Sequence, residues 1–303
     1  MISLVMAVYN GEKYILQQLD SIKNQTLAPD EVIIHDDKST DESVSIIVDY
    51  IKKNGLKWSI VVNNVNQGYS RNFSNLIKEA RGDIVFLADQ DDVWLPDKIE
   101  KMTKVMEEHP EISLLASNVK PFYTGQNPQK VNFEKFDRRR ELIPIRDKSK
   151  WIKPIRPGCA MCIRPSKFEG YDELWYDKYP HDCLLWGLSV LSNSAYLLNE
   201  ETIEFRRHDS NTSSRGGRTS QNRIRIISQE IEYIQRMLNY QKKVGNSNLV
   251  DMLEKQLDVY KTRLGALEEK NVWKIFLLLP RIKYFGRNRF WLTDMYYCAK
   301  QRR

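Results

Sequence analysis

The sequence predicts an α/β protein whose mainly parallel β-sheet is flanked by helices, followed by a helical hairpin and a basic, aromatic tail. Short apolar runs alternate with amphipathic helical patterns up to about residue 110. This alternation is typical of a parallel α/β sheet, in which the crossover connections are right-handed. Two long apolar stripes between residues 221 and 270 predict the hairpin.

The elements of the first half are predicted from apolar runs and helical faces. Residues 2–10 form a continuous apolar run, as expected for a strand buried on both faces. Ile15, Leu19 and Ile22 share one face of a helix. In order, we expect a strand in 2–10, a helix in 12–26, a short strand ending at Asp36-Asp37, a helix in 42–55, a strand in 58–66, a helix opening at Gly68 and a strand at 84–89.

The second half begins with the same alternation and then changes character. In order, we expect a helix from 93 to about His109, a strand in 111–119, an irregular stretch at 121–157, a strand at 158–164, a helix at 180–193 and paired strands over 195–208. The first stripe of the hairpin contains Ile224, Ile227, Ile231, Ile234 and Leu238. The second contains Val250, Leu253, Leu257, Tyr260, Leu264 and Leu267, and its spacing leaves a homodimer seam open.

The net charge of +7 lies in the tail. Residues 271–303 contain eight Lys or Arg and a single acid, Asp294, while basic and acidic side chains are equal in number over the rest of the chain. Aromatic residues are interleaved with these bases, a pattern that suits an anionic membrane surface or nucleic acid. The alternative is a segment packed on the body with a solvated basic rim.

The cysteines and the first residues favour a reducing compartment. Four cysteines without regular spacing do not predict a disulfide framework, and the N-terminal run has no basic region of a leader peptide. Cys159 and Cys162 could form half of a zinc site with Cys183 and His181. However, positions i and i+3 of a strand point to opposite faces, so buried small side chains are the better interpretation.

Acidic and polar residues follow three of the predicted strands. They are Tyr9-Asn10, Asp36-Asp37 and the cluster Asp89, Asp91 and Asp92. Ligands of parallel α/β sheets bind beyond the carboxyl ends of the strands, so these groups should meet in one crevice. The D-x-D form of the cluster suits Mg²⁺ or Mn²⁺ with a phosphate, whereas a solvated turn would be the simple alternative. Dinucleotide and P-loop glycine motifs are absent from the sequence.

The chain resembles glycosyltransferase family 2, the inverting enzymes of the GT-A fold, over about residues 1–215. The resemblance lies in ordered motifs at family-like spacings: VMAVYNGEKY, VIIHDDKSTDES, FLADQDDVWLPDK, HDCLLW and FRRHDSNTS. Within the family the chain is most similar to bacterial rhamnosyltransferase-type enzymes of cell-wall and capsule synthesis. The resemblance implies a GT-A domain at 1–215, with a nucleotide-sugar half (1–95) and an acceptor half (96–215), before a C-terminal helical region at 216–303.

The resemblance also implies a donor pocket. Ala7 and Tyr9 would line it, Asp37 would bind the base, and Arg71 with Asn72 would lie near the nucleotide.

The remaining roles concern the metal, the phosphates and the acceptor. Asp91 would be the main metal ligand, Asp89 would be shared between metal and ribose, and Asp92 would be a secondary candidate. From its position in the sequence, Asp92 is expected to direct the start of the following helix. His208 would lie at the metal, and Arg207, or Arg206, at the diphosphate. Asp182, in the first turn of a helix on the acceptor side, would be the catalytic base.

The resulting expectation is an inverting, Mg²⁺- or Mn²⁺-dependent transferase. Its donor would be dTDP-L-rhamnose or else a UDP-hexose, and its acceptor a hydroxyl of a lipid-linked bacterial glycan. The enzyme would be cytoplasmic and peripheral on the inner membrane face, held by residues 271–303. The alternatives are a non-catalytic nucleotide-sugar-binding protein and a nucleic-acid binder acting through the tail.

Overall fold

The computed structural model describes residues 1–177, 179–209, 211, 219–286 and 289–300. Its strands are Ile2–Val8 (β1), Glu31–Asp36 (β2), Ser59–Val62 (β3), Ile84–Asp89 (β4), Val93–Trp94 (β5), Leu114–Tyr123 (β6), Leu142–Pro144 (β7), Met161–Ile163 (β8) and Ala195–Arg207 (β9). Its α-helices are Ile15–Lys23 (α1), Ser43–Lys53 (α2), Tyr69–Glu79 (α3), Lys98–Glu108 (α4), Tyr171–Leu174 (α5), His181–Leu191 (α6), Ser220–Lys243 (α7), Ser247–Glu268 (α8), Val272–Phe276 (α9) and Arg289–Lys300 (α10).

All nine strands form one sheet, in the order β3-β2-β1-β4-β8-β6-β9-β5, with β7 paired to β9. The first four strands in this order are parallel, and β6 is parallel to β9. The pairs that involve β8, β5 or β7 are antiparallel. Ala7 pairs with His35 on one side and Asp89 on the other, so the carboxyl ends of β1, β2 and β4 are level. This register confirms the predicted convergence of the three polar clusters.

A hydrophobic core lies on each face of the sheet. Alternate residues of β1 serve the two cores, since Leu4 and Met6 pack with α1, α2 and α4 whereas Val5 packs with α3 and the later helices. The predicted α1 face of Ile15, Leu19 and Ile22 is fully buried. Each such side chain contributes roughly 1.5–3 kcal/mol relative to full exposure. Because both cores are large, the loops at the strand ends rest on a rigid base.

The predicted pair of strands over residues 195–208 is wrong. The segment is a single strand, β9, that pairs with β6 along its whole length. The polar stretch Asn199–Glu201 resembles a turn in the sequence, but the register shifts opposite Ser117 and Asn118 absorb it as a bulge. The continuous strand carries Arg206 and Arg207 to the edge of the crevice.

The helical hairpin is confirmed as α7 and α8, which pack against each other. The second stripe is used inside the chain, because Leu253, Leu257, Tyr260 and Leu267 are buried in the core of the same molecule. The stripe therefore gives no support to the predicted dimer seam.

The tail packs on α8 and also exposes apolar side chains. Asp294 of α10 is fully buried, with Oδ1 2.7 Å from Arg223 Nε and Oδ2 2.8 Å from Arg263 Nε. Trp273 and Leu277, in contrast, are 69% and 72% exposed. Over the described part of the chain, we find no helix with the length and apolar character needed to cross a bilayer.

Candidate active site

The loop after β4 is fixed to the end of β1 by a side-chain amide. Gln90 Oε1 accepts a hydrogen bond from the backbone N–H of Tyr9 at 2.7 Å, and Gln90 Nε2 donates to the carbonyl of Tyr9 at 2.9 Å. The middle residue of the D-x-D motif thus joins two strand ends, while the carboxylates on either side of it remain available. Ala7 and Tyr9, predicted to line the donor pocket, lie at this edge.

Asp91 is brought together with His208, as the predicted roles require. His208 Nε2 lies 2.7 Å from Asp91 Oδ2, and Asn211 Nδ2 donates to the same oxygen at 3.1 Å. Asn211 also accepts from the backbone N–H of His208 at 2.6 Å. The imidazole stacks near Tyr14, with ring centroids 4.8 Å apart. The sequence interpretation did not include Asn211 or Tyr14.

Asp92 does not direct the next helix, and that part of the prediction is wrong. The helix α4 begins six residues later at Lys98, with Asp97 at its N-cap position. Instead, Asp92 is fully buried, and its Oδ1 accepts from the backbone N–H of Arg206 at 2.8 Å. Its Oδ2 is buried without a hydrogen-bond partner in the described structure. The register of β9 decides this role, and that register cannot be inferred from the residues around Asp92.

The carboxylates are crowded and poorly solvated. Burial, then the charges of Asp91 and Asp182, raises the pKa of Asp89 to about 7. Burial, then the charges of Asp91 and Asp89, raises the pKa of Asp92 well above its usual value. The thiol of Cys159 lies within 4.8 Å of ligand oxygens of Asp89 and Asp92, and burial raises its pKa too.

This donor set fits a hard divalent cation. Repelling carboxylates and an orphaned buried oxygen are what Mg²⁺ or Mn²⁺ would neutralise, and both ions prefer oxygen ligands. The thiol of Cys159 stays protonated and is a poor ligand for them. Cys183 and His181, the zinc partners considered for Cys159, do not form a candidate metal group with it. Among the described residues, the candidate group that contains this thiol holds Asp89 and Asp92 instead. Cys159 and Cys162 are both buried and free, as predicted.

Asp37, predicted to bind the base, is built into the loop that precedes α3. Its Oδ1 accepts from the N–H of Gln67 at 2.8 Å and from Asn63 Nδ2 at 2.9 Å, and its Oδ2 accepts from the N–H of Gly68 at 2.7 Å. Asn72 extends the network by accepting from Asn63 Nδ2 at 3.2 Å. A carboxylate can accept about four hydrogen bonds, so one position of Asp37 remains for a ligand.

Arg71 contacts the segment between α5 and α6. It forms a two-point pair with Asp177, at 2.7 and 2.5 Å, and lies over the ring of Trp175. Both partners come from the segment between α5 and α6, so Arg71 joins the donor half of the crevice to the segment that leads to Asp182.

Asp182 occupies the first turn of α6, where the helix dipole favours a negative charge. Its Oδ1 accepts from the N–H of Cys183 at 2.8 Å. A Cβ added to Gly158 would lie 3.1 Å from the Asp182 Cβ, so glycine allows the two segments to approach. Partial burial, followed by the charges of Asp182 and Asp89 among others, raises the pKa of Tyr69. Because the neighbouring Cys159 has its thiol within 4.8 Å of ligand oxygens of Asp89 and Asp92, Asp182 lies close to the acidic loop.

The two arginines that end β9 differ in role. Arg206 is used structurally, since its Nε donates to the carbonyl of Asp91 at 2.7 Å and its Nη2 donates to Gln17. Arg207 is nearly buried, and its Nε lies 3.5 Å from the carbonyl of Gln129. Burial lowers the pKa of Arg207, against the opposing charges of Asp91 and Asp92. Both arginines thus lie beside the acidic loop, with Arg206 bonded to it directly and Arg207 close enough for the charges of Asp91 and Asp92 to act on it.

Comparison with known proteins agrees with this geometry. The model of glycosyl transferase family 2 matches residues 3–175. The dTDP-rhamnosyl transferase RfbG of Shigella flexneri is 26% identical over 222 residues, which are 68% of this chain and 72% of RfbG. Other curated relatives are 36% identical over 123 residues, but this chain spans only 36% of their length.

Solved structures share the fold over nearly the whole chain. TarS 1-349 of S. aureus in complex with UDP-GlcNAc has a TM-score of 0.62 and 18% identity, covering 99% of this chain and 91% of TarS 1-349. Mannosyltransferase PcManGT from Pyrobaculum calidifontis, in complex with GDP-Man and Mn²⁺, has a TM-score of 0.52 and 16% identity, covering 98% and 84%. Since the family model covers more than half of the chain, and the fold agrees with it, this protein belongs to glycosyl transferase family 2 and has the GT-A fold.

Proposed function

We propose that the protein transfers a sugar, with inversion, from a nucleoside diphosphate sugar to a hydroxyl of a growing bacterial surface polysaccharide. One observation carries the proposal: Asp182 lies against Gly158, and the thiol of the next residue, Cys159, is within 4.8 Å of ligand oxygens of Asp89 and Asp92, so Asp182 and the acidic loop are close together. A family 2 transferase needs both a base for the acceptor and a site for the departing diphosphate, and these two groups supply them.

The reaction requires one proton acceptor and no covalent intermediate. The acceptor oxygen attacks the anomeric carbon and forms the new C–O bond, while the bond from that carbon to the diphosphate oxygen breaks with its electron pair. The hydroxyl proton passes to the carboxylate of Asp182. The nucleoside diphosphate leaves toward Asp89, Asp91 and Arg207.

Asp91 and Asp89 would hold a divalent cation, with His208 orienting Asp91 or joining the ligand set. When bound, Mg²⁺ or Mn²⁺ supplies positive charge that stabilises the leaving diphosphate. Arg207 adds a fixed cation at the same place. The Mn²⁺ in the PcManGT complex supports this assignment by likeness of fold alone.

For the donor, we propose dTDP-L-rhamnose, with a UDP-hexose as the second choice. The likeness to RfbG supports the first, and the UDP-GlcNAc complex of TarS supports the second. Asp37 has one acceptor position left for a base N–H. It follows β2 directly, and Ala7 and Tyr9 lie at the end of the neighbouring strand β1. Asn72 supports Asp37 through the side chain of Asn63, which donates to both. Arg71 positions the segment between α5 and α6 through Asp177.

For the acceptor, we propose a lipid-linked glycan reached from the cytoplasmic face of the membrane. Trp273, Phe276 and Leu277 form an exposed apolar patch on α9, with Lys274 among them. Such a patch with a basic rim suits the interface of an anionic bilayer. The Asp294 contacts attach the tail that carries this surface to the hairpin of α7 and α8.

The catalytic proposal is tested with Asp91→Ala and Asp182→Asn. Donor binding is measured as a thermal shift with Mn²⁺ and a panel of UDP-, dTDP- and GDP-sugars, and turnover as nucleoside diphosphate released with lipid-linked glycans from bacterial membranes. We expect both variants to lose turnover and only Asp91→Ala to lose the shift. The control, Asp172→Asn, removes an exposed acid paired with Lys78 and should change neither quantity.

Each result against expectation has a distinct meaning. Turnover retained in Asp182→Asn would show that another group is the base. A Mn²⁺-dependent shift retained in Asp91→Ala would remove the metal assignment. A wild type that consumes none of the donors would leave the non-catalytic binding protein as the better interpretation.

The membrane proposal is tested by sedimentation with liposomes containing anionic lipid, in parallel with duplex DNA. We expect salt-sensitive binding to liposomes that falls in Trp273→Ser/Leu277→Ser, with Val244→Ser, an exposed apolar residue between α7 and α8, as the control. Binding to DNA instead of lipid would favour the nucleic-acid alternative.

A further inference from the structure

A second cavity lies between the sheet domain and the C-terminal helices. Its volume is about 600 Å³, within the usual range of small-molecule sites. Its walls are the segments 129–134 and 149–155, the facing sides of α7 and α8, and Phe290 of α10. None of the predicted site residues lines it.

Two lysine–glutamate pairs line this cavity. Lys153 Nζ lies 2.7 Å from Glu230 Oε1, and Lys150 Nζ lies 2.6 Å from Glu134 Oε1. Glu230 is only 2% exposed, and neither of its carboxylate oxygens accepts a hydrogen bond of good geometry in the part of the chain that the structure describes. A buried carboxylate balanced by one ion pair is costly unless further donors satisfy it. Glu230 therefore points to a ligand that brings hydrogen-bond donors.

The lining selects a neutral, hydroxyl-rich ligand. An ammonium group has three donors and a carboxylate several acceptor positions, so each pair retains donors and acceptors after the ion pair is formed. A hydroxyl can donate to the carboxylate and accept from the lysine at once. An anionic ligand would be repelled by Glu230 and Glu134, and a cationic ligand would be repelled by Lys153 and Lys150. Apolar surface from Phe133, Ile155 and Phe290 completes the walls.

Two hydrogen bonds connect the walls of the cavity to residues beside the candidate active site. Glu230 lies three residues before Tyr233 on α7, so the two side chains share a face, and the Tyr233 hydroxyl donates to the carbonyl of Cys183 at 3.1 Å. Cys183 follows Asp182. Elsewhere, Gln129 lines the cavity and receives Arg207 Nε at its carbonyl.

We propose that this cavity is a saccharide-binding subsite that takes a neutral pyranose unit of the acceptor glycan, remote from the hydroxyl that is attacked. The identity of the ligand as acceptor rests on the proposed function, whereas the binding of a neutral pyranose does not. The subsite would select acceptors by a sugar that does not react. It would also place the glycan between the segment 149–155 and the C-terminal helices.

The test is saturation-transfer NMR with the methyl pyranosides of glucose, galactose, rhamnose and N-acetylglucosamine as probes, in the absence of donor. We expect at least one probe to bind the full-length wild type. In Glu230→Gln, its affinity should fall about tenfold, because a hydrogen bond to a charged acceptor becomes a weaker one to a neutral acceptor. Asn132→Trp narrows the cavity at an exposed position, leaves the Lys153–Glu230 pair intact and should abolish binding.

The matched control is Glu232→Gln, which removes an exposed carboxylate paired with Arg236 on the same helix and should bind like the wild type. The subsite is disproved if no probe binds the wild type, or if binding survives in both Glu230→Gln and Asn132→Trp. Nucleotide-sugar thermal shifts and release of nucleoside diphosphate, measured on the same samples, keep the two proposals apart. A protein that binds donor but no pyranoside lacks the subsite alone, and one that binds pyranoside but consumes no donor lacks the proposed activity alone.

Discussion

His208 Nε2 lies 2.7 Å from Asp91 Oδ2, although the two residues are 117 positions apart in the chain. Two contacts of Arg206 create this proximity, because its N–H and its Nε bind Asp92 and the carbonyl of Asp91. The end of β9 and the acidic loop therefore move as one unit. Asp91 is oriented before any ligand arrives, which reduces the entropic cost of assembling a metal site.

We predict that His208→Ala weakens Mn²⁺-dependent donor binding by about 10–100-fold, the usual cost of losing a group that orients or completes a metal site. The measurement is calorimetric titration of nucleoside diphosphate with and without Mn²⁺. His109→Ala removes an exposed imidazole that lies beside Glu111 and serves as the control. Equal Mn²⁺ dependence in His208→Ala and the wild type would show that His208 does not act on the metal.

We predict that Asp92→Asn stabilises the metal-free protein at neutral pH. Its carbonyl oxygen can still accept from Arg206, and a buried charge is removed. The pKa of Asp92 is raised in the folded state, so the folded protein keeps a proton that the unfolded chain releases above about pH 4. The stability of the wild type therefore falls as pH rises from there toward the folded-state pKa, and the advantage of Asn should grow over that range.

Asp92→Ala is the counterpart, because it leaves the Arg206 N–H unpaired and should cost about 1–3 kcal/mol in the free energy of unfolding. Chemical denaturation at several pH values measures both variants. A lower stability for Asp92→Asn than for the wild type at neutral pH would mean that Asp92 is stabilised as a charge in the folded protein.

Local patterns were sufficient for most of the fold. Buried strands are short apolar runs and helices have one apolar face, so β1, β4 and α1 follow from the residues within them. The meeting of the polar strand ends follows as well, because parallel strands place their carboxyl ends at one edge. The hairpin of α7 and α8 was predictable for the same reason.

Relations set by distant strands were not predictable. Asp91 and Asp92 are adjacent and chemically alike, and only the register of β9 puts His208 on one and Arg206 on the other. The turn-like polarity of Asn199–Glu201 concealed that register. The surroundings of Cys159 and Glu230 could not be predicted either, because their neighbours are brought together only by packing of the whole chain.

A third prediction concerns acid stability and His181. This imidazole is buried against Phe73, with ring centroids 4.0 Å apart, and both its nitrogens lack hydrogen-bond partners in the described structure. Burial lowers its pKa from 6.5 to about 4. Between these values the unfolded chain binds the proton more tightly, so stability is complete above pH 6.5 and falls as the pH approaches 4.

The loss is at most about 3 kcal/mol for this single group. His181→Phe keeps the stacking and removes the titration, so the wild type should lose more stability than the variant between pH 6.5 and 4 in urea denaturation. Parallel curves for the two proteins would show that His181 does not control this range. His109→Ala should follow the wild type.

The last prediction concerns Asp294, which fastens the tail to the hairpin. It is fully buried between Arg223 of α7 and Arg263 of α8, and Arg263 is itself fully buried. Asp294→Ala would leave two guanidinium groups without their shared anion, so the free energy of unfolding should fall by about 3–5 kcal/mol. Asp258→Ala, which removes an exposed partner of Arg281, should cost under about 1 kcal/mol.

Since α9 is held between α8 and α10, Asp294→Ala should also weaken liposome binding, although no apolar residue of the patch has changed. Urea denaturation and liposome sedimentation measure the two effects. Normal stability in Asp294→Ala would show that apolar contacts alone attach the tail.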